Sequence, residues 1–374
     1  MTAEAAATAP LDEASASFGS NAIRLTLREW IVSGTIIWFA AISVPRVWRN
    51  VERFAAPADF RVPYALSEDY WTYQQLVQDT VDKGQVLVIG DSVIWGEYVT
   101  PDATFSHFLN RHLGRHNFVN GGLNGSHSLA LSGLVRHHAH RLRDTQVILH
   151  CNLLWMSSVE RDLQTDREFT FNHPALVPQF WPRIPCYKAP VDERIGVCID
   201  RNIGIRSWVH HLRIRDFESL DVPSWSFEYP YTNPLSQVHF SQIQPLNQPH
   251  SSPTSWTERG IEAQDIPWID LDTSLQWQGF CDTVELLQTR RNSVFVVVGP
   301  FNEHLLTETS SQRYRTMKQA AEAWLRKKRI PYSLPRLLPS EEYGDASHPL
   351  AAGYARLAQQ IYADAAFQRW LEVE

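Results

Sequence analysis

Short apolar runs, each followed by polar or glycine-rich residues, constrain the fold of this chain most. They lie at 85–92, 116–122, 145–152, 293–300 and 330–335. Continuous runs of this length are typical of strands buried on both faces of a parallel sheet. Helical patterns separate most of them, and strands that alternate with helices predict an α/β fold with a parallel sheet.

The helices are predicted from apolar periodicity and from capping residues. Ser67 is the expected N-cap of the helix that precedes the first strand, and a second helix is expected to begin near Thr100 and Pro101. Further helices are predicted at 128–144, 312–329 and 349–371. The stretch from about 155 to 290 is rich in Pro, Trp and Ser and too long for a plain loop, so we expect an insertion or small subdomain within a domain at 80–374.

Ser92 directly follows the first predicted strand, at the edge where the loops of a parallel sheet converge. A serine hydroxyl is inert at neutral pH unless a base accepts its proton and a third group orients that base. Asp345 and His348 stand three residues apart before the last predicted helix, so the acid can orient the imidazole. These residues are the predicted catalytic set.

An acyl-transfer site also needs donors for a developing oxyanion. The glycine-rich turn at 120–126 follows the second predicted strand and contains Gly125. Asn152 ends the third predicted strand. The predicted oxyanion hole consists of Ser92, Gly125 and Asn152.

These segments resemble the GDSL/SGNH hydrolase superfamily. VLVIGDSVIWGEYV resembles its first block, with Ser92 as nucleophile, and VNGGLNGSHS the second, with Gly125 as the oxyanion-hole glycine. DASHPLAAGYARLA resembles the last block. The family's Gly-x-Asn-Asp is absent, and the corresponding strand ends in His-Cys-Asn-Leu, with Asn152 as the asparagine by position. The resemblance spans about 85–160 and 290–365.

The resemblance implies a flavodoxin-like three-layer α/β/α sandwich and a two-step acyl transfer through an acyl-Ser92 intermediate. Water or an acceptor hydroxyl then removes the acyl group, so the expected activity is ester hydrolysis or O-acyl transfer, without a cofactor. The substrate is a small-molecule or glycan ester. The departure in the third block supports an alternative hypothesis, in which the chain is a catalytically inactive scaffold that binds carbohydrate or protein.

The N-terminal region predicts a membrane anchor. Residues 1–22 have the composition of a disordered tail. The stretch from Trp30 to Val44 carries no charge, and a single-pass anchor at 28–48 is expected, with a buried or interfacial helix as the alternative. Together with the insertion, this architecture resembles membrane-tethered SGNH-like proteins of alginate O-acetylation and teichoic-acid D-alanylation. It implies an extracytoplasmic catalytic domain.

Composition limits the remaining possibilities. The net charge of −7 gives no electrostatic support for nucleic-acid binding. Three nearby histidines, His137, His138 and His140, lack further ligands at metal spacing, so we interpret them as a solvated helix face and expect no metal. Cys186 and Cys198 are either a disulfide or free thiols. Six tryptophans lie in or beside the insertion, and they either pack in the core or form a surface that stacks on sugars. They are Trp155, Trp181, Trp225, Trp256, Trp268 and Trp277.

Overall fold

A computed structural model describes residues 25–52, 54–241 and 243–372. The predicted tail at 1–22 lies outside the described residues. Five strands form one parallel sheet: β1 (Val86–Gly90), β2 (Phe118–Gly122), β3 (Gln146–Cys151), β4 (Ser293–Val298) and β5 (Tyr332–Ser333). Their order across the sheet is β2-β1-β3-β4-β5.

Twelve α-helices lie within the described part of the chain. They are α1 (Leu27–Val51), α2 (Tyr70–Asp82), α3 (Ser92–Trp95), α4 (Phe105–Leu113), α5 (Ser128–His138), α6 (Val191–Asn202), α7 (Gly204–Asp216), α8 (Val222–Glu228), α9 (Leu275–Thr289), α10 (Glu308–Lys327), α11 (Ala351–Tyr362) and α12 (Ala365–Leu371). The chain is therefore mixed α/β with a parallel sheet, as the apolar runs predict.

Alternate residues of each strand enter different apolar cores, so helices cover both faces of the sheet. Leu87 and Ile89 of β1 pack with α2, α5, α9 and α10 on one face. Val86 and Val88 pack with α4, α11 and α12 on the other. The arrangement is compatible with three α/β/α layers.

Several predicted boundaries differ from the structure. Ser67 does not cap α2: its hydroxyl donates to the carbonyl of Tyr64, and Asp69 caps the helix by accepting from the N–H of Trp71 and of Thr72. A 3-10 turn occupies Pro101–Ala103, and α4 begins after it, at Phe105.

The C-terminal elements are also shorter than predicted. The last strand covers only Tyr332–Ser333, because the flanking Pro331 and Pro335 have no N–H to donate to a neighbouring strand. The predicted terminal helix divides into α11 and α12, because the Asp364 carboxylate caps a new helix by accepting from the Ala366 N–H.

The region between β3 and β4 contains α6, α7, α8 and long irregular segments. Its last helix, α9, packs against α5 and the sheet, so one layer helix comes from the segment predicted as the insertion. Likewise, α2 joins the same layer although it begins before residue 80.

The helix α1 is long and apolar enough to span a membrane. It has 25 residues, and only 6% of its most apolar 18-residue stretch is buried. Its C-terminal part packs along α7, where the rings of Trp48 and Trp208 lie 5.4 Å apart. Residues from Leu27 to Ala40 project from the domain with mostly exposed side chains.

Candidate active site

Ser92 lies at the carboxyl end of β1, as the first residue of the short helix α3. Asp91 caps that helix by accepting a hydrogen bond from the N–H of Val93 at 3.0 Å. Gly96 ends it with φ of +95°, a conformation that favours glycine. This sharp strand–helix turn leaves Ser92 half-buried at the sheet edge where other loops converge.

The structure brings Ser92, His348 and Asp345 into one hydrogen-bonded line. The Oγ of Ser92 and the Nε2 of His348 are 2.8 Å apart. On the other side of the ring, Nδ1 lies 2.8 Å from each carboxylate oxygen of Asp345. With its proton on Nδ1, the imidazole donates to Asp345 and accepts the proton of Ser92 at Nε2.

Backbone contacts hold the loop that presents His348. The Asp345 carboxylate accepts from the N–H groups of Ser347 at 2.9 Å and His348 at 3.0 Å. The buried Asn302 side chain, from the loop after β4, donates to the Asp345 carbonyl at 3.2 Å. The acid and the base of the line are therefore fixed with respect to the end of β4.

The charges around the line favour a protonated imidazole beside ionised carboxylates. Burial opposes charge on the ring, but the carboxylates of Asp345, Asp91 and Glu97 raise the pKa of His348 above its usual value. Burial alone would raise the pKa of Asp345, yet His348 and the two backbone N–H groups lower it. An imidazolium formed during proton transfer is thus stabilised.

Asp91 is the centre of a buried polar cluster beneath the nucleophile. It accepts from Asn152 Nδ2 at 2.7 Å and from Trp155 Nε1 at 2.8 Å, and His150 Nδ1 lies 3.2 Å away. Burial alone would raise the pKa of Asp91, but His150, Asn152 and His348 lower it to about 2. The ionised carboxylate thereby fixes the side chains at the end of β3 relative to Ser92.

Asn152 lies at the end of β3, and one of its two amide N–H groups donates to Asp91. Its Oδ1 accepts from the Leu154 N–H at 3.0 Å, which fixes the orientation of the amide. In the described part of the chain, the second N–H of Asn152 has no acceptor.

Gly125 lies in the loop after β2, which adjoins the turn that carries Ser92. Gly90 and Gly122 are paired at the ends of β1 and β2, and the Leu123 N–H donates to the Gly90 carbonyl at 3.0 Å. The φ of Gly125 is +70°. Among the described residues, the backbone N–H groups of Ser92 and Gly125 have no hydrogen-bond acceptor.

Two further residues of the site were missed by sequence reasoning. Tyr98 donates to Asp345 Oδ2 at 3.2 Å, and the Arg259 guanidinium donates to the Tyr98 hydroxyl at 3.0 Å. Tyr98 lies within the segment VLVIGDSVIWGEYV that contains Ser92, and this was the only sequence feature that pointed to it. Arg259 comes from the region between β3 and β4, where the sequence pattern marks no site.

The six tryptophans do not share one surface. Trp225, Trp256 and Trp277 are buried, and Trp268 packs on Phe301 and Tyr314. Trp155 donates to Asp91, whereas Trp181 is 87% exposed.

The expectation of a solvated histidine face is wrong for His138, whereas His140 is exposed. His138 is buried, its Nδ1 lies 2.9 Å from Gln74 Nε2, and burial lowers its pKa to about 3. His140 lies beyond the end of α5. Among the described residues, no group of three or more His, Cys, Asp or Glu side chains is placed to hold a metal ion, and Cys186 and Cys198 are free thiols.

The chain was also compared with known proteins. No protein-family model matches it, and no curated protein is significantly similar in sequence. The function must therefore be inferred from the geometry of the site and from the sequence motifs.

Proposed function

We propose that this chain is a serine-dependent acyl-ester enzyme, a hydrolase or O-acyltransferase that works through an acyl-Ser92 intermediate. The observation that carries the proposal is the continuous line from Ser92 Oγ through His348 to Asp345, with 2.8 Å at each contact. A hydroxyl, an imidazole and a carboxylate in this order are the parts of a serine nucleophile and its oriented base.

The first step forms the acyl-enzyme. Ser92 Oγ attacks the ester carbonyl carbon while its proton moves to His348 Nε2. The N–H groups of Ser92 and Gly125 and the second amide N–H of Asn152 donate to the oxyanion. When the tetrahedral intermediate collapses, the ester C–O bond breaks and His348 returns the proton to the leaving alcohol.

The second step transfers the acyl group from Ser92. Water or an acceptor hydroxyl gives its proton to His348 and attacks the acyl carbon, and Ser92 takes the proton back as its bond breaks. Water makes the enzyme a hydrolase, whereas a hydroxyl of a glycan makes it an O-acyltransferase. The half-exposed Ser92 is accessible to both acceptors.

We further propose that the chain is a divergent member of the GDSL/SGNH superfamily with a flavodoxin-like sheet. Support comes from the strand order 2-1-3-4-5 and from site residues that follow β1, β2 and β3 and precede α11. The third block differs from the family pattern, but Asn152 still lies beside Asp91 at the end of β3.

Labelling with a fluorophosphonate probe tests the nucleophile. We expect the wild type to be labelled and Ser92→Ala to lose the label, whereas Ser226→Ala, a half-buried serine of α8 like Ser92, keeps it. His348→Ala should abolish most labelling, and Asp345→Ala should reduce it less, because the acid orients and stabilises rather than attacks. A wild type that resists the probe would favour the inactive scaffold.

The group that accepts the acyl chain distinguishes a hydrolase from an O-acyltransferase. A hydrolase is expected to turn over short-chain nitrophenyl esters rapidly in water. A transferase is expected to hydrolyse them poorly but to release nitrophenol when a glycan acceptor is added, with acylated glycan detected by mass spectrometry.

For its location, we propose single-pass membrane attachment through α1 with the catalytic domain outside the cytoplasm. Support comes from the length, apolarity and exposure of α1 and, for the orientation, from the architectural resemblance alone. We expect protease added to intact cells to digest the domain. Protection from the protease would instead place the domain on the cytoplasmic side.

A further inference from the structure

The helix α6 has the reverse of the usual amphipathic arrangement. Its arginines point into the domain: the guanidinium of Arg194 donates to the carbonyls of Ala189, Gln179 and Tyr187. Arg201 donates to the carbonyls of Ala175 and Val177. The two arginines of this helix are thus used for internal hydrogen bonds.

The opposite side of α6 presents aliphatic residues to the outside. Val191, Ile195 and Ile199 recur every fourth residue along the helix, Ile203 follows as its C-cap, and the four side chains are 65%, 47%, 44% and 44% exposed. Residues at this spacing lie along one side of a helix. A stripe of exposed aliphatic side chains on a helix whose arginines face inward marks a surface that meets an apolar environment. We call these four residues the α6 stripe.

The α6 stripe ends beside α1. Gly204, which follows the stripe and begins α7, lies so close to Pro45 of α1 that a Cβ added to it would be 4.0 Å from the Pro45 Cβ. One turn further, Trp208 of α7 contacts Trp48. The position of the stripe relative to a membrane therefore depends on where α1 leaves it.

The length of α1 determines which of its residues lie at the membrane boundary. A hydrocarbon core of ~30 Å takes ~20 helical residues. Counted from Trp30, where the uncharged run begins, they end at about Arg49, one turn after Pro45. The contact between Pro45 and Gly204 thus lies near the membrane boundary when α1 spans the bilayer, and Ile203, the neighbour of Gly204, lies close to the same level.

We propose that the α6 stripe lies on the lipid bilayer as an interfacial helix, a second attachment beside α1. The proposal rests on the membrane attachment of α1 proposed above and is independent of the acyl chemistry. Its partner is the acyl-chain boundary of the bilayer, since aliphatic side chains bury there to ~5–10 Å. Two attachments restrict how the domain swivels and hold Ser92 in one orientation above the membrane.

Charge near the stripe indicates an apolar rather than an electrostatic contact. Asp192, Glu193 and Asp200 flank the aliphatic residues on the exposed side of α6, and Arg206 pairs with Asp200 at 2.7 Å. Acidic flanks are not attracted to anionic lipid. The contact is therefore expected to persist in high salt and in uncharged phosphatidylcholine.

Site-specific fluorescence in proteoliposomes tests the contact. The full chain, carrying Cys198→Ser and Cys281→Ser to remove its half-buried thiols, receives one new cysteine labelled with the environment-sensitive dye NBD. The tested positions are Ile195→Cys and Ile199→Cys. Ile36→Cys in α1 reports anchoring, and Leu337→Cys is the control, an aliphatic residue after β5 with 41% exposure against 44% for Ile199.

We expect the dye at positions 195, 199 and 36 to shift to shorter wavelength and to be quenched by doxyl-labelled phosphatidylcholine, with neither effect at 337. Quenching at 36 but not at 195 and 199 would overturn the α6 contact and leave α1 as an anchor. No quenching at 36 would overturn the anchor itself. A blue shift at 199 without lipid quenching would mean that protein covers the stripe, which also overturns the proposal.

Discussion

His348 is the residue at which the contacts of the site meet. It links Ser92 to Asp345, and its charged form is favoured by three carboxylates that come from different loops. Only Asp345 is near it in sequence. The strength of the base is therefore set by the tertiary structure as much as by the Asp-x-x-His motif.

Replacing Glu97 with Gln is expected to extend activity to lower pH. His348 must be neutral to accept the Ser92 proton, so activity falls as pH drops through its pKa. The Glu97 carboxylate raises that pKa, and its loss should move the acid limb of the kcat/KM profile to lower pH. Because the Gln oxygen still accepts from Asn124, the plateau should be unchanged. An acid limb that does not move would contradict the role of this charge.

Replacing Gly125 with Ala is expected to lower kcat by about 10²-fold, the usual cost of one lost oxyanion donor. The new Cβ would lie 2.4 Å from Asn172 Nδ2 at a φ of +70°, so the Asn172 side chain or the loop must shift, and a shift of the loop moves the Gly125 N–H with it. Gly114→Ala is the matched control, with φ of +73° and open space around it. Both variants should lose about 1–2 kcal/mol of stability to backbone strain.

Equal kcat values for the two glycine variants would contradict the assignment of Gly125. Steady-state kinetics with a nitrophenyl ester and thermal unfolding of each variant provide the two measurements. The comparison separates a lost donor from a destabilised backbone.

Local sequence explains which site residues were predicted. Ser92 follows an apolar run, and Asp345 and His348 share one motif, so short segments carry their signal. The Tyr98–Asp345 contact instead joins residues 247 positions apart, and the Arg259–Tyr98 contact joins residues 161 apart. No local pattern encodes such pairs, because packing alone brings them together.

At the level of elements, a buried ion cluster joins α1, α2 and α7. His211 of α7 lies 2.7 Å from Asp69, the cap of α2, and 3.0 Å from Glu52 at the end of α1. Arg215 also pairs with Glu52. Burial alone would lower the pKa of His211, but the two carboxylates raise it to about 9. The cluster fixes α1 to the domain by charge.

His211→Gln is expected to destabilise the protein by about 3 kcal/mol, because it leaves buried carboxylates without their partner. The pKa of His211 is higher in the folded state than its usual 6.5, so its contribution is complete below pH 6.5 and is lost as pH rises through about 9. Glu52, with its pKa lowered from 4.5 to about 2, loses its contribution as pH falls through that range. The difference in unfolding temperature between the wild type and His211→Gln should be largest between pH 4.5 and 6.5.

A gap that stays constant from pH 6.5 to above 9 would contradict a charged His211. His239→Gln is the control, since His239 faces Asp216 at 3.1 Å with 62% of its side chain exposed. Exposed pairs contribute little, so this variant should unfold near the wild-type temperature.

The elements differ in how well the sequence predicts them. Strands β1 to β4 lie within the apolar runs because parallel strands are buried on both faces. Helix α6 has no such signal: its arginines face inward and its aliphatic side chains outward, so apolar periodicity does not indicate its packing. The short helix α3 is fixed by the Asp91 cap and by Gly96, features that a propensity pattern does not resolve.

In the whole molecule, α1 has two parts with different roles. Residues 27–40 project with mostly exposed side chains, whereas Pro45, Trp48 and Glu52 contact α7. We expect the first part to lie in the membrane, whereas the second part also holds α1 against the domain. Removing each part should therefore have a different consequence.

Deletion of residues 1–40 is expected to release the protein from membranes without loss of the active site. The full chain should stay in the pellet after alkaline carbonate extraction, and the shortened chain should appear in the soluble fraction. The shortened chain should still react with the fluorophosphonate, because Glu52 and the α7 contacts remain.

Deletion of residues 1–55 is the matched comparison, since it also removes Glu52. His211 and Arg215 then lose a buried partner, so this chain should unfold at a temperature several degrees lower than the chain without 1–40. Equal unfolding temperatures would mean that the second part of α1 does not stabilise the domain. A full chain released by carbonate would mean that the first part does not insert.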